Sequence, residues 1–190
     1  MQCLYYLGEL MKYTLELLKE LTEEEVGLKP GDASEYRLRK EARAIVLNHK
    51  GRLVLMYSSR DKSYEVPGGG LEEGENPEEA LKREMLEEIG YNIEIDRGVG
   101  FNIQYRNTSK LIKIVYCFLA HTIGKPNKPK LDKYEVAAGL EMVWVESFRD
   151  ALKLMNTNPN EGPGERFSNK SDTAFLKKAE DILKIYPKPI

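Results

Sequence analysis

The stretch Gly68-Gly69-Gly70-Leu71-Glu72-Glu73-Gly74-Glu75-Asn76-Pro77-Glu78-Glu79-Ala80-Leu81-Lys82-Arg83-Glu84-Met85-Leu86-Glu87-Glu88-Ile89-Gly90-Tyr91 carries the reading of this chain. Both ends of a helix are written into it. Asn76 is a capping residue, Pro77 at the first helical position gives up an N–H that has no partner there anyway, and Gly90 can close the helix in the left-handed conformation. The predicted helix spans Pro77 to Ile89. At about 100° per residue, Leu81, Met85, Leu86 and Ile89 fall on one arc, and Glu84, Glu87 and Glu88 fall on the arc beside it.

That carboxylate arc works against the helix that bears it. Like charges three and four residues apart repel by about 0.2–0.5 kcal/mol per pair. Glu87 and Glu88 also sit in the last turn, where the helix dipole disfavours anions by about 0.3–1 kcal/mol each. A solvated acidic face is the bland explanation, but it leaves the unfavourable terminus unexplained. Divalent cations held among the carboxylates reverse the sign of the repulsion. An all-oxygen donor set without nearby Cys or His selects hard ions, so Mg²⁺ is the expected cofactor and Mn²⁺ a substitute. The glycine run just before the helix allows backbone to approach a ligand closely.

Outward from this segment, strands are expected at Ala42 to Leu47 and Leu53 to Tyr57, joined through His49-Lys50-Gly51 as a hairpin. Further strands are expected at Asn92 to Ile95, Phe101 to Tyr105, Leu111 to His121 and Glu141 to Val145. Helices follow at Ser147 to Met155 and Asp172 to Ile185, with Asn156 to Asn169 as an irregular loop. Strands, helix, strands, helices in that order describe an α/β fold, a mixed β-sheet flanked by helices. Leucines and tyrosines at helical spacing from Leu4 to Val26, with Thr22 and Glu25 resembling a capping box, predict an N-terminal helical extension over 1–35. Gly27 to Ser34 breaks the pattern, and 36–190 forms the main domain.

Composition bounds the partners. The 190 residues carry a formal net charge of −2, so no general basic field draws the chain to polymeric nucleic acid. No apolar run long enough to span a membrane is present and no secretory signal is recognisable, which makes the cytoplasm the expected location. Cys3 and Cys117 form neither a disulfide framework nor a zinc motif. The expected assembly is a monomer or homodimer.

The quoted residues resemble the Nudix box, Gly-x5-Glu-x7-Arg-Glu-U-x-Glu-Glu-x-Gly-U, where U is a bulky apolar residue. Gly69, Glu75, Arg83, Glu84, Glu87, Glu88 and Gly90 fill its fixed positions over 23 residues. Met85 takes the first apolar place, and Tyr91 takes the second, where an aliphatic residue is commoner. Glu65-Val66-Pro67 before the box and Trp144-Val145 after it extend the resemblance to about 36–155. The resemblance implies an α/β/α sandwich. It also implies a metal-dependent hydrolase that cuts the pyrophosphate bond of a nucleotide, ADP-ribose or sugar nucleotide. Glu84, Glu87, Glu88 and the carbonyl of Gly69 would hold the metal, with the same glutamates catalytic. Glu75 and Arg83 would support them structurally. Glu84 is the first candidate for the general base, with Glu135 and Glu141 as later-loop alternatives. Arg43, Tyr64 and Arg106, with Arg37 and Arg60, are candidate substrate contacts. The competing reading is a catalytically silent, Nudix-like nucleotide-sensing module, which the intact box argues against.

Overall fold

A computed structural model describes residues 12–157 and 162–186. Eight strands form a single mixed sheet. They are β1 (Leu17–Leu21), β2 (Arg37–Leu47), β3 (Leu53–Ser58), β4 (Ser63–Glu65), β5 (Gly68–Gly70), β6 (Asn92–Arg106), β7 (Leu111–Ile123) and β8 (Leu140–Val145). The helices are α1 (Pro77–Glu88), α2 (Lys133–Ala138), α3 (Phe148–Met155) and α4 (Pro163–Ile185). The sheet runs β1-β6-β7-β2-β3-β4, with β5 paired to β2 and β8 to β3. Two pairings are parallel, β1 with β6 and β7 with β2.

Strict alternation along the central strands builds two cores. Ala42, Ala44 and Val46 of β2, Val54 and Met56 of β3, and Tyr116, Phe118 and Ala120 of β7 pack with Ala80, Leu81, Met85 and Ile89 of α1. Their neighbours Ile45, Leu53, Leu55, Val115, Cys117 and Leu119 pack with Ala151 and Met155 of α3 and Phe175, Leu176 and Ala179 of α4. Side chains of period two on the strands and 3.6 on the helices thus produce an α/β/α sandwich. The small Ala42 and Ala44 leave room for α1 to lie close to the sheet.

The expected hairpin is present. Asn48 Oδ1 accepts from the N–H groups of Lys50 (2.9 Å) and Arg52 (3.1 Å), and Gly51 takes φ +74°.

Three expectations need correction. The helix foreseen from Leu4 to Val26 is not formed in its described part, because residues 17–21 are strand β1. Five residues of mixed propensity are too few to outweigh pairing with β6 and complete burial of Leu21 beside Val26 and Phe167. Thr22 caps nothing there; the short 3-10 turn Glu24–Val26 has Glu23 at its N-cap. Leu4, Leu7 and Met11 lie outside the described residues. Second, the strands expected at 92–95 and 101–105 are one long strand, β6, whose register slips between Ile95 and Arg97 and between Gly98 and Gly100. Bulges bend it rather than a loop dividing it. Third, part of the loop foreseen over 156–169 is helical, since α4 begins at Pro163, preceded by Gly162 as cap. Gly-Pro-Gly reads locally as a turn, but proline at the first helical position starts this helix, and Phe167 is buried behind it.

Phe175 is fully buried between α4 and the sheet. Phe175→Ala is expected to lower unfolding free energy in urea by about 3–5 kcal/mol; a loss below about 1 kcal/mol would show that α4 is not docked as described.

Candidate metal centre and adjoining cavity

Helix α1 is fixed at its start by a capping box. Asn76 Oδ1 accepts from Glu78 N and Glu79 N, each at 3.0 Å, and Glu79 Oε2 accepts from Asn76 N at 3.0 Å. At its end Gly90 adopts φ +71°. Both termini match the sequence reading, so the carboxylate arc is set in a defined rotation about the helix axis.

Against this arc lies β5, paired antiparallel to β2 with Ala42 opposite Gly69. Two glycines are required here by contact. Gly68 has φ +133°, and a Cβ on it would stand 2.1 Å from the Ala42 carbonyl oxygen. A Cβ on Gly69 would stand 2.4 Å from Glu84 Oε1, so the missing side chain leaves the space that Glu84 occupies.

Arg83 is the splint of the site. It grips Glu75 with two bonds, Nε to Oε1 at 2.8 Å and Nη2 to Oε2 at 2.9 Å. Its remaining donors reach Glu84 Oε1 (2.9 Å), Glu87 Oε2 (3.1 Å) and the carbonyl of Gly70 (2.9 Å). One guanidinium therefore ties the glycine strand, the loop and the helix together, the planar fork making each bond specific in direction.

Carboxylate oxygens of Glu84, Glu88 and Glu135 lie within 4.8 Å of one another. Glu84 and Glu88 are buried, and Glu88 Oε2 also accepts from Gly68 N at 2.7 Å. Burial first, then Glu65 and Glu84, push the Glu88 carboxyl well above the ordinary range. Burial also raises Glu84 against the pull of Arg83, and raises Glu135. Three acids whose ionisation burial opposes, brought together at one point, form a donor set suited to a hard divalent cation.

Of the box glutamates, then, two converge. Glu87 turns to Arg83 four residues earlier but still lines the same cleft, about 500 Å³ in volume. Glu135 takes the third place, carried by α2, a helix the sequence reading did not foresee. Its signal was present: Asp132 and Glu135 form a capping box, with Asp132 Oδ1 accepting from Tyr134 N and Glu135 N, and Glu135 Oε2 accepting from Asp132 N at 2.6 Å. Glu141 is exposed on β8, opposite Tyr57, and does not line the cleft.

The candidate substrate contacts separate. Arg43 is buried, held charged against burial by Asp172, Glu65 and Glu41, and its Nη1 donates to the Val66 carbonyl. Its donors are committed to the protein, which makes it a strut in the cleft wall. Tyr64 and Arg106, together with Arg60, line a second cavity of about 320 Å³ that shares Glu65, Glu135 and Leu140 with the cleft. Tyr64 stacks on Tyr57 with ring centroids 4.8 Å apart. Arg106 donates to two neutral partners, Gln104 Oε1 (2.8 Å) and Ser168 Oγ (3.3 Å), and burial pulls its guanidinium down to about 10. Arg37 belongs to neither lining.

Beside the cleft, one buried carboxylate serves several cations. Glu41 meets Lys113 Nζ (2.5 Å), Arg39 Nε (3.1 Å) and Arg43 Nη2 (3.9 Å). Burial raises its carboxyl, but Lys113, Arg43 and Arg39 outweigh that and hold it at about 2. Lys113, which shares the Glu41 carboxylate with Arg39 and Arg43, is pulled by burial down to about 8. The result is a buried network of cations and carboxylates, joined through Arg43 to Glu65 and Asp172, beside the acidic centre.

Comparisons with known proteins agree with this geometry. A family model described as NUDIX domain matches residues 37–161. The chain is 29% identical over 147 residues to an ADP-ribose pyrophosphatase of Bacillus subtilis, covering 73% of this chain and 76% of the relative. It is 32% identical over 109 residues to an 8-oxo-dGTP diphosphatase of Haemophilus influenzae, covering 55% and 74%. With a MutT-like protein of Streptomyces ambofaciens, 34% identity extends over 73 residues, 38% of this chain and less than half (46%) of that relative. The solved MutT protein of Methanosarcina mazei shares the fold, with TM-score 0.57 at 20% identity, covering 79% of this chain and 98% of that one. Among the described residues, no helix is long and apolar enough to cross a membrane.

Glu41 generates a pH-dependent stability. Its lowered carboxyl contributes stability fully present above about pH 4.5 and lost as pH falls through about 2. Glu41→Gln is expected to cost on the order of 3 kcal/mol in urea unfolding at pH 7, with the gap to the parent protein narrowing between pH 4.5 and 2. An unchanged gap across that window would mean that the carboxylate is not held by its cations.

Proposed function

Because the chain belongs to the Nudix family, we propose that it is a Mg²⁺-dependent hydrolase that cleaves the pyrophosphate bond of a nucleoside diphosphate linked to a further moiety. One observation carries this reading: the oxygens of Glu84, Glu88 and Glu135 meet within 4.8 Å beside Gly69, in an open cleft. Carboxylates alone make up the set, which fits Mg²⁺ or Mn²⁺ and disfavours zinc. Glu84, Glu88 and the Gly69 carbonyl are assigned as holding the metal, with Glu87 at the cleft wall. A divalent cation bound there supplies charge neutralisation for the diphosphate and a water acidic enough to attack phosphorus near neutral pH.

The chain's own residues do the remainder. Arg83 fixes Glu84 and Glu87, and the Gly68 N–H fixes Glu88, so the carboxylates are oriented before substrate arrives. Glu135 is assigned as general base over Glu84. Burial raises both carboxyls, but Glu84 Oε1 is engaged by Arg83, whereas Glu135 forms no ion pair within 4.0 Å to a described cation. Water adds to one phosphorus, the bridging P–O bond breaks, and the proton passes to Glu135 while the other phosphate-bearing half departs. Tyr64 and Arg106, which line the adjoining cavity, are assigned as contacts for that half of the substrate.

The test is turnover of a panel comprising oxidised nucleoside triphosphates, ADP-ribose, dinucleoside polyphosphates and sugar nucleotides, run in ¹⁸O-water with Mg²⁺ or Mn²⁺. At least one substrate should be cleaved, with a single ¹⁸O in one product and full loss of activity in EDTA. Glu135→Gln is expected to lower kcat by about 10²–10⁴-fold. Binding without turnover across the panel would replace hydrolysis with nucleotide sensing, and a wild-type rate for Glu135→Gln would remove it as base.

A further inference from the structure

The strand pair that carries the glycines has an unusual weak point. β4 ends at Glu65, paired with Met56 of β3, while β5 starts at Gly68, paired with Arg43 of β2. In between, the chain changes partner strand, and Val66 is left without a ladder for either of its peptide groups although it is buried. A buried peptide must find partners elsewhere.

Both come from charged side chains. Asp172 of α4, 106 residues away along the chain, accepts from Val66 N through Oδ2 at 2.9 Å. Arg43 donates to the Val66 carbonyl and to Glu65 Oε2 at 3.2 Å, and its Nη1 lies 3.7 Å from Asp172 Oδ2. Asp172 is 1% exposed, and its Oδ1 has no hydrogen-bond partner among the described residues. A buried, half-satisfied carboxylate is costly to stability. Burial pushes its carboxyl up to about 6, a further sign that ionisation is resisted there. Neither Asn102 nor Ser171, which bond each other nearby, relieves it.

Two residues beyond Val66 the backbone enters the candidate metal centre. Gly68 N holds Glu88, and Gly69 lies against Glu84. The Asp172–Arg43 pair thus grips the peptide that sets the height of the glycine strand over the carboxylates.

We propose that Asp172 is a positioning residue for the reaction: through Val66 and Arg43, the C-terminal helix holds Gly68 and Gly69 in register with Glu84 and Glu88. The inference rests on the metal-dependent reading of that centre. It predicts that loss of the Asp172 carboxylate harms metal binding and kcat, while KM for the nucleotide changes little, since the adjoining cavity is untouched.

The experiment compares full-length wild type, Asp172→Ala and Asp172→Asn. Circular dichroism first establishes folding; Mn²⁺ affinity by electron paramagnetic resonance and kcat and KM on whichever substrate the wild type turns over are then measured. Asp172→Ala should lose about tenfold in Mn²⁺ affinity or kcat, in the range for residues that orient ligands, with KM within about twofold. Asp172→Asn keeps an acceptor for Val66 N but not the charge opposite Arg43, and should fall between the two. A folded Asp172→Ala with wild-type kcat and Mn²⁺ affinity, even if it melts earlier, overturns the inference and leaves the hydrolase reading standing. If Asp172→Ala does not fold, Asp172→Asn decides: wild-type values in both readouts overturn the proposal, and a loss in either with KM held supports it. Wild type that takes up no Mn²⁺ defeats the hydrolase reading instead.

Discussion

Three carboxylates brought within 4.8 Å, two of them buried, are the constraint around which this molecule is arranged. In water such acids would separate; in a partly dry cleft they repel more strongly and each resists ionisation. Something must hold them there. The helix supplies rotation and spacing, Arg83 supplies a fork that binds four separate groups, and the Gly68 N–H supplies a donor to Glu88. None of these removes the repulsion. A hard cation does, which is why the geometry and the chemistry assigned to it depend on each other.

The sandwich serves the same end. Alanines on β2 let α1 approach the sheet, and the approach brings the carboxylate arc over β5. On the other face α4 packs Phe175 and Leu176 into the second core and, in the same turns, sends Asp172 through to Val66. Both helices, from opposite faces, therefore meet at one short crossing of the chain between β4 and β5. Within that crossing the Pro67 carbonyl accepts from Ala44 N of β2 at 3.0 Å, while Val66 takes the partners of both its N–H and its carbonyl from charged side chains.

Much of this was legible in the residues. Asn76, Pro77 and Gly90 announced the helix ends because capping is local chemistry, complete within a few positions. The runs of strand formers in β2, β3 and β7 were legible for the same reason. What escaped depended on distant partners. Leu17 to Leu21 has nothing local to make it a strand; β6 does that. Pro163 was read as part of an irregular loop because its helix is secured by Phe167 against Leu21 and Val26, far away in sequence. Arg43 read as a possible substrate ligand, since sequence cannot show Glu41, Glu65 and Asp172 closing around it. Asp172 did leave a trace: it lies three, four and seven residues before Phe175, Leu176 and Ala179, an acid on the apolar face of its helix. Such a residue calls for a buried partner, but not for any particular one.

Cation binding by the acidic centre tests the account most directly. Calorimetric titration of the metal-free protein with Mn²⁺, alone and with a non-hydrolysable diphosphate analogue, should show stoichiometric uptake; Glu88→Gln should abolish it. A protein that takes up no Mn²⁺ under either condition, or a Glu88→Gln variant that binds as the parent does, would contradict the claim that these acids are gathered to hold a metal.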